Sequence, residues 1–297
     1  MTYRGLLCDL DGVVYRGTSA CDGAAEGLAR ARAAGVAILF LTNNAARLPQ
    51  DVAAHLQSLG VAAQPDEVLN SSQVAARHLR LHHTLPDSGV VLAVGGPGVA
   101  AALEGEALPT VRPHDVPGHG GSGNVAAVVQ GLGTDLTWGD LAEATLAVSR
   151  GAYWVATNTD ATLPLERGQA PGNGALVAAV AHATGREPDL VTGKPHAPAF
   201  EIALQRLGLP PEEVLMVGDR LDTDIEGANR AGLATALVLT GVHGRADLEG
   251  APQEQQPDHV VDTLVDLARH WGAARPLPDT PAVDNGDAGP SRDTLRL

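Results

Sequence analysis

The stretch Leu6-Leu7-Cys8-Asp9-Leu10-Asp11-Gly12 constrains this chain more than any other. Its apolar run leaves no solvated face, so as a strand it must be covered on both sides, as in a parallel sheet packed between helices. The run stops at two carboxylates spaced i, i+2. In a strand such residues face the same side, so Asp9 and Asp11 point into one pocket and Leu10 points away. Like charges held that close repel and desolvate badly. They are kept where a cation is shared or where the raised pKa of one partner is useful. Gly12 lets the backbone turn tightly and approach a ligand.

The pattern around this stretch repeats. An Ala-rich helical segment over Cys21–Gly35 stops at Gly35, and Val36–Leu41 is a second apolar strand ending in Thr42-Asn43-Asn44. A helix over Pro49–Leu59 stops at Gly60. Strand, helix, strand, helix with continuous apolar strands predicts a doubly wound parallel α/β sheet, whose ligands sit beyond the carboxyl ends of the strands. A second alternating set is expected as helix 73–81, strand 89–94, helix 98–103, strand 124–129, helix 136–150, strand 153–156 and helix 174–184. The chain then returns to the first pattern. Gly193-Lys194-Pro195 precedes a helix over 198–207, and the strand 213–217 ends in Gly218-Asp219-Arg220-Leu221-Asp222-Thr223-Asp224. A helix through Ala231, a strand over 234–239, a strand over 259–261 and a helix over 263–271 follow. The boundaries read from this are a core over 1–72 and 191–272, an inserted α/β unit over 73–190, and a Pro-, Asp- and Gly-rich tail over 273–297 without periodicity.

The net charge of −15 argues against nucleic acid or an anionic membrane as partner. A phosphate ligand then needs local cations. No run approaches the roughly 20 apolar residues of a membrane span, and the first residues lack the pattern of a signal peptide. The two cysteines, Cys8 and Cys21, form no disulfide framework, which fits a reducing cytosol. Of 20 basic residues, 19 are arginine and one, Lys194, is lysine. A single lysine in so Arg-biased a chain marks a place where a compact ammonium is needed. His114 and His119, in the Gly-rich loop 113–123, are read as solvated rather than as metal ligands. Gly95-Gly96-Pro97-Gly98 lacks the spacing of a dinucleotide fingerprint and is read as a tight turn.

Four polar motifs thus fall at element ends: Asp9/Asp11, Thr42-Asn43-Asn44, Lys194, and Asp219/Asp222/Asp224. Carboxylates around one point make a hard oxygen site suited to Mg²⁺, which is commonly completed by a substrate phosphate. The Thr42 hydroxyl, the Asn43 amide and the Lys194 ammonium are donors suited to phosphoryl oxygens. A carboxylate nucleophile forming an aspartyl-phosphate is an established route for phosphoryl transfer.

Asp9-Leu10-Asp11-Gly12, the hydroxyl residue in Leu41-Thr42-Asn43-Asn44, Gly193-Lys194-Pro195 and Gly218-Asp219 through Asp224 resemble motifs I to IV of the haloacid dehalogenase-like superfamily. About 30 residues separate Gly12 from Thr42, leaving no room for a cap there, whereas about 150 separate Thr42 from Lys194. That layout resembles the type IIA members, the NagD-like or p-nitrophenyl phosphatase group, with an inserted α/β cap. The segments 156–160 and 171–174 also resemble that group. The resemblance covers residues 4 to 270.

It implies a Mg²⁺-dependent phosphatase acting on a small phosphorylated metabolite. Asp9 is then the nucleophile and a metal ligand. Asp11 protonates the leaving oxygen, activates water and lends its carbonyl to the metal, with its pKa raised by the neighbouring Asp9. Thr42 and Asn43 hold the phosphoryl group with Asn44 close by, Lys194 bridges phosphate and Asp9, and Asp219 ligates the metal. Asp224 has two readings, support of the metal shell or a helix N-cap, and Asp222 reads as a solvated or capping carboxylate. Asn158, Asp160 and Asn173 either face the site from the cap or serve turn chemistry. A phosphomutase of this superfamily resembles a different layout, with a helical cap between motifs I and II, and non-catalytic members usually lack the nucleophile or the lysine. The segments 162–168 and 218–224 resemble members acting on glycerol 3-phosphate. Caps of this type often mediate homodimers in relatives, while the spacing itself says nothing of oligomeric state.

Overall fold

The computed structural model describes residues 2–116, 124–165 and 167–271. The chain begins β1 (Gly5–Cys8), β2 (Tyr15–Arg16), β3 (Ser19–Ala20), α1 (Ala24–Ala33), β4 (Ala37–Thr42), α2 (Pro49–Ser58), β5 (Val68–Asn70) and α3 (Ser71–His82). It continues with β6 (Val90–Val94), α4 (Pro97–Gly105), β7 (Thr110–Val111), β8 (Val125–Gln130), α5 (Trp138–Ser149), β9 (Tyr153–Ala156), β10 (Thr162–Leu165), β11 (Gly168–Pro171), α6 (Asn173–Thr184) and β12 (Leu190–Val191). Last come α7 (Ala197–Leu207), β13 (Val214–Gly218), α8 (Glu226–Arg230), β14 (Ala234–Val238) and β15 (His259–Val261).

Two parallel sheets result. The first has six strands in the order β15-β14-β13-β1-β4-β5, and the second has five in the order β12-β9-β8-β6-β7. The second is made wholly from chain inserted between β5 and α7. In the first sheet β1 is central, with Cys8 level with Phe40 of β4 on one side and Val217 of β13 on the other.

Strand alternation explains why both faces are apolar. Leu6, Cys8, Ile38, Phe40, Leu215 and Val217 pack against α1 and α2 through residues such as Leu28 and Leu56. Leu7, Leu39, Leu41, Val214 and Met216 pack on the other face against Phe200 and Ala203 of α7 and Ala228 of α8. Every residue of β1 is therefore in a core, which is why its sequence shows no polar alternation. The second sheet repeats the arrangement. Val91, Ala93, Ala127 and Val129 meet α3 and α4, and Leu92, Val94, Val128 and Trp154 meet α5 and α6.

Three expectations are revised. The segment expected as a helix through Ala231 opens with a π-turn, Leu221–Ile225, before α8. The wider turn packs Asp224 against Gly218, where a Cβ would overlap its carboxylate. The segment expected as a helix over 263–271 is a 3₁₀ helix, Leu264–His270. Its buried residues, Leu264 and Leu267, recur every three positions, the period of that helix. Short strands unseen in the sequence also appear, including β5, β12 and the antiparallel β10–β11 hairpin. His119 and the tail 273–297 lie outside the described residues, as does Glu166 of the segment 162–168. His114 is exposed and lies 3.5 Å from Asp115. Among the described residues no helix is long and apolar enough to cross a membrane.

Candidate active site

The strand order of the first sheet assembles the site. β4, β1 and β13 are adjacent and parallel, so their carboxyl ends lie side by side. Thr42 ends β4, Asp9 follows β1 directly, and Asp219 follows β13 directly. Lys194 arrives from the segment between β12 and α7. All four are buried, as is Asp224.

Lys194 is the centre of the charge arrangement. Its Nζ donates to Asp9 Oδ1 at 2.5 Å and to Leu41 O at 3.0 Å, and it lies 2.7 Å from Asp224 Oδ1. Burial alone would lower its pKa, but the Asp224 and Asp9 carboxylates outweigh this and raise it, so the lysine stays charged. The ammonium donates to two acceptors, Asp9 Oδ1 and Leu41 O, and pairs by charge with Asp224 Oδ1, which forms no hydrogen bond of its own. A planar guanidinium fork does not suit that geometry.

Asp9, Asp219 and Asp224 each offer a carboxylate oxygen, and these oxygens lie within 4.8 Å of one another. Burial pushes Asp9 well above the usual carboxylate range, with Lys194 opposing and Asp224 and Asp219 adding to the rise. Burial and then Asp224 push Asp219 up to about 7, against the Val242 N–H, Lys194 and Arg220. Asp219 Oδ1 is buried with no hydrogen-bond partner. Asp219 Oδ2 accepts from Val242 N at 2.8 Å. Three buried carboxylates against one ammonium, with a buried oxygen left unpaired, fit a hard divalent cation such as Mg²⁺. Asp224 is not a helix N-cap. It lies inside the π-turn, with Oδ2 accepting from Arg220 N at 3.1 Å and Oδ1 facing Lys194. Asp222 pairs with Arg220 at the surface, at 2.8 Å.

Asp11 departs from expectation. β1 ends at Cys8, and the chain turns at Gly12, whose φ is +81°, to bring Asp11 into a bridge with Tyr15. Asp9 is therefore buried, while Asp11 is exposed. The Asp11 carboxylate does not join the other three. Its pKa is raised, but by loss of hydration to the protein around it and not by Asp9. Lys194, Arg47 and His55 oppose the rise.

Thr42 Oγ1 accepts from Asn44 N at 3.1 Å, which leaves the hydroxyl hydrogen free to donate. Asn44 Oδ1 accepts from Ala46 N at 3.1 Å and so serves the turn. Asn43 is corrected more sharply. Its Oδ1 accepts from Lys194 N at 2.8 Å, and its Nδ2 donates to Lys194 O at 3.0 Å and to Asp160 Oδ2 at 3.2 Å. Both amide hydrogens are used within the protein, so the side chain is not a phosphoryl donor.

The residues expected at the site from the inserted unit divide. Asn158 is buried, donates to Asn43 O at 2.8 Å and accepts from Asp160 N at 3.1 Å. Asn173 is buried and donates to Asn158 O at 2.7 Å. Asn173 spends both amide hydrogens on Asn158 O and Gln130 O, and Asn158 spends one on Asn43 O, so both hold their loop in place. Asp160 is half-buried, held by Asn43, with its pKa raised by burial. Thr240, Gly241 and Val242 also border the site, at positions the four motifs do not include. Thr240 Oγ1 donates to Gly12 O at 2.7 Å, and Val242 orients Asp219. The Thr-Gly pair after an apolar strand was the available signal. Ser71 is likewise outside the motifs, and its Oγ donates to Asn43 O at 2.7 Å.

A parallel six-stranded core carrying an inserted α/β unit, with acids at adjacent strand ends and one lysine brought among them, defines a hydrolase of the haloacid dehalogenase type. Residues 6–108 match the haloacid dehalogenase-like hydrolase family, and residues 191–267 match the HAD-hydrolase-like family. Over 263 residues the chain is 44% identical to a D-glycerol 3-phosphate phosphatase of Mycobacterium tuberculosis, covering 88% of this chain and 70% of that one. It is 37% identical to an acid sugar phosphatase of Staphylococcus haemolyticus, over 88% of this chain and 94% of the other. Its structure resembles that of a glycerol phosphate phosphatase from Mycobacterium tuberculosis in complex with magnesium, with a TM-score of 0.81 at 43% identity over 89% and 76% of the two chains. It also resembles a p-nitrophenyl phosphatase from Archaeoglobus fulgidus, with a TM-score of 0.80 at 30% identity over 91% and 99% of the chains. The chain belongs to the haloacid dehalogenase-like hydrolases, and its relatives lie in the p-nitrophenyl phosphatase and glycerol phosphate phosphatase group.

Proposed function

We propose that this chain is a magnesium-dependent phosphatase that hydrolyses a small phosphomonoester, glycerol 3-phosphate. The observation that carries this reading is the buried set Asp9, Asp219 and Asp224 gathered around one ammonium, Lys194. Similarity to a D-glycerol 3-phosphate phosphatase at 44% identity supports the choice of substrate. Residues 1–72 and 191–272 form the core in this reading, 73–190 the cap, and the free Cys8 and Cys21 suit a reducing cytosol.

Asp9 attacks the phosphorus, and the bond to the leaving alcohol breaks as the aspartyl-phosphate forms. Asp11, whose pKa is raised, gives its proton to the leaving oxygen. As a carboxylate it then takes a proton from the water that attacks the aspartyl-phosphate, which releases inorganic phosphate and restores Asp9. Lys194 orients Asp9 and sets a positive charge beside the transferred group, and the Thr42 hydroxyl donates to a phosphoryl oxygen. Asp9, Asp219 and Asp224, with the carbonyl of Asp11, would hold Mg²⁺, which supplies positive charge against the phosphoryl oxygens.

Release of inorganic phosphate from glycerol 3-phosphate, phosphoglycolate, pyridoxal 5′-phosphate, a nucleoside monophosphate and a sugar phosphate tests the reading. Turnover is expected to be fastest on glycerol 3-phosphate and to vanish in Asp9→Asn. Faster turnover of another ester replaces the substrate, and retained activity in Asp9→Asn refutes the nucleophile.

A further inference from the structure

Asn43 stands between the catalytic lysine and the cap. Its amide pairs with both polar groups of Lys194's own backbone, accepting from N at 2.8 Å and donating to O at 3.0 Å. The remaining amide hydrogen is shared between the two oxygens of Asp160, at 3.2 and 3.4 Å. The backbone carbonyl of Asn43 is held in turn by Asn158 Nδ2 of the cap at 2.8 Å and by Ser71 Oγ at 2.7 Å. The neighbouring Gly193 admits this pairing, because a Cβ there would lie 2.7 Å from Asn43 Oδ1 and 3.0 Å from the Asn158 side chain. Lys194 thus has its ammonium fixed by Asp9 and Asp224 and its backbone fixed by one amide that is itself oriented by a cap carboxylate.

We propose that Asn43 is a positioning residue and that Asp160 acts through it: the Asp160–Asn43 hydrogen bond sets the amide that places Lys194 for phosphoryl transfer. The geometry explains why an amide is required. A carboxylate at 43 keeps the acceptor for Lys194 N, loses the donor to Lys194 O, and sets two anions against each other at Asp160. The proposal rests on the phosphatase reading and deepens it, since it assigns the cap loop a share in the rate rather than only in substrate choice.

The test exchanges the two chemistries. Asn43→Asp is expected to lower kcat more than it raises KM, because a displaced lysine weakens transition-state contacts more than ground-state ones. Adding Asp160→Asn to that variant restores a donor to face the new carboxylate and is expected to recover at least roughly tenfold in kcat, the scale of coupling between residues in contact. A double variant no faster than Asn43→Asp overturns the proposal. The cycle of Asn43→Ala and Asp160→Ala gives a second arm. Losses in kcat that do not multiply support the coupling, and losses that multiply independently overturn it. The same two exchanges, the first completed to a cycle by Asp160→Asn alone, read as Tm of the full chain test the pair without turnover, where additive shifts again overturn it. Wild-type protein that releases no phosphate from any ester defeats the phosphatase reading instead, and the Tm cycles still decide whether the pair is coupled.

Discussion

Lys194 Nζ and Asp224 Oδ1 lie 2.7 Å apart, with 3% and 1% of their side chains exposed. An ion pair this deep is costly to break from one side, because the partner left behind is a buried, uncompensated charge.

Lys194→Ala is therefore expected to abolish phosphate release and to destabilise the metal-free protein by about 3 kcal/mol or more. Lys194→Arg is expected to restore neither, since two carboxylates and a carbonyl closed around a point charge leave no room for a planar fork. Denaturant midpoints with a chelator present, set beside turnover with magnesium, check both outcomes. Full activity in the arginine variant contradicts the geometry.

Asp219 gives a pH dependence whose sign is fixed. Its pKa is pushed up to about 7 in the folded metal-free protein, against about 3.9 when unfolded. The folded state then holds a proton that the unfolded state has lost, so metal-free stability falls as pH rises from about 4 through 7. A bound divalent ion favours the ionised carboxylate and cancels that loss. The rise in Tm on adding magnesium is expected to be larger at pH 8 than at pH 5.5. A rise independent of pH goes against the assignment.

Gly12→Ala tests the packing of the site rather than its chemistry. The φ of +81° disfavours any residue with a side chain, by roughly 1–2 kcal/mol. The added Cβ would also overlap the Asp219 carboxylate. The expected result is weakened magnesium binding by titration calorimetry together with lost turnover. Unchanged affinity for magnesium tells against the contact.

Thr42→Val keeps the shape of the side chain and removes the hydroxyl. The Asn44 N–H loses its acceptor, and the phosphoryl group loses a donor. A fall in kcat/KM of about 10²-fold is expected, the cost of one donor at developing negative charge. Steady-state kinetics on glycerol 3-phosphate measure it, and a change under threefold removes Thr42 from the phosphoryl site.

Local order carried the fold. The apolar runs that became β1, β4, β8, β13 and β14 were visible because their buried apolar residues pack on one face or the other of a sheet. Their ends were visible because each run of apolar residues stops at a polar group, Asp9, Thr42 or Asp219. Strands such as β7 and β12, two residues each, offered no period to read. The π-turn at Leu221–Ile225 was hidden for another reason, since a one-residue widening of a helical turn leaves the apolar spacing nearly unchanged.

The sequence by itself determined which chemical groups stand at strand ends and that a large unit is inserted between the second and third motifs, because burial and chain length are local constraints. Only the tertiary structure decided what each group touches. Asp9 and Asp11, two residues apart, separate into a buried and an exposed carboxylate because the backbone turns at Gly12. Asn43, a donor suited to phosphate on paper, spends its amide on Lys194 and Asp160, 151 and 117 residues away. Hydrogen-bond capacity is finite, and which partner claims it depends on distances across the fold that no spacing along the chain encodes.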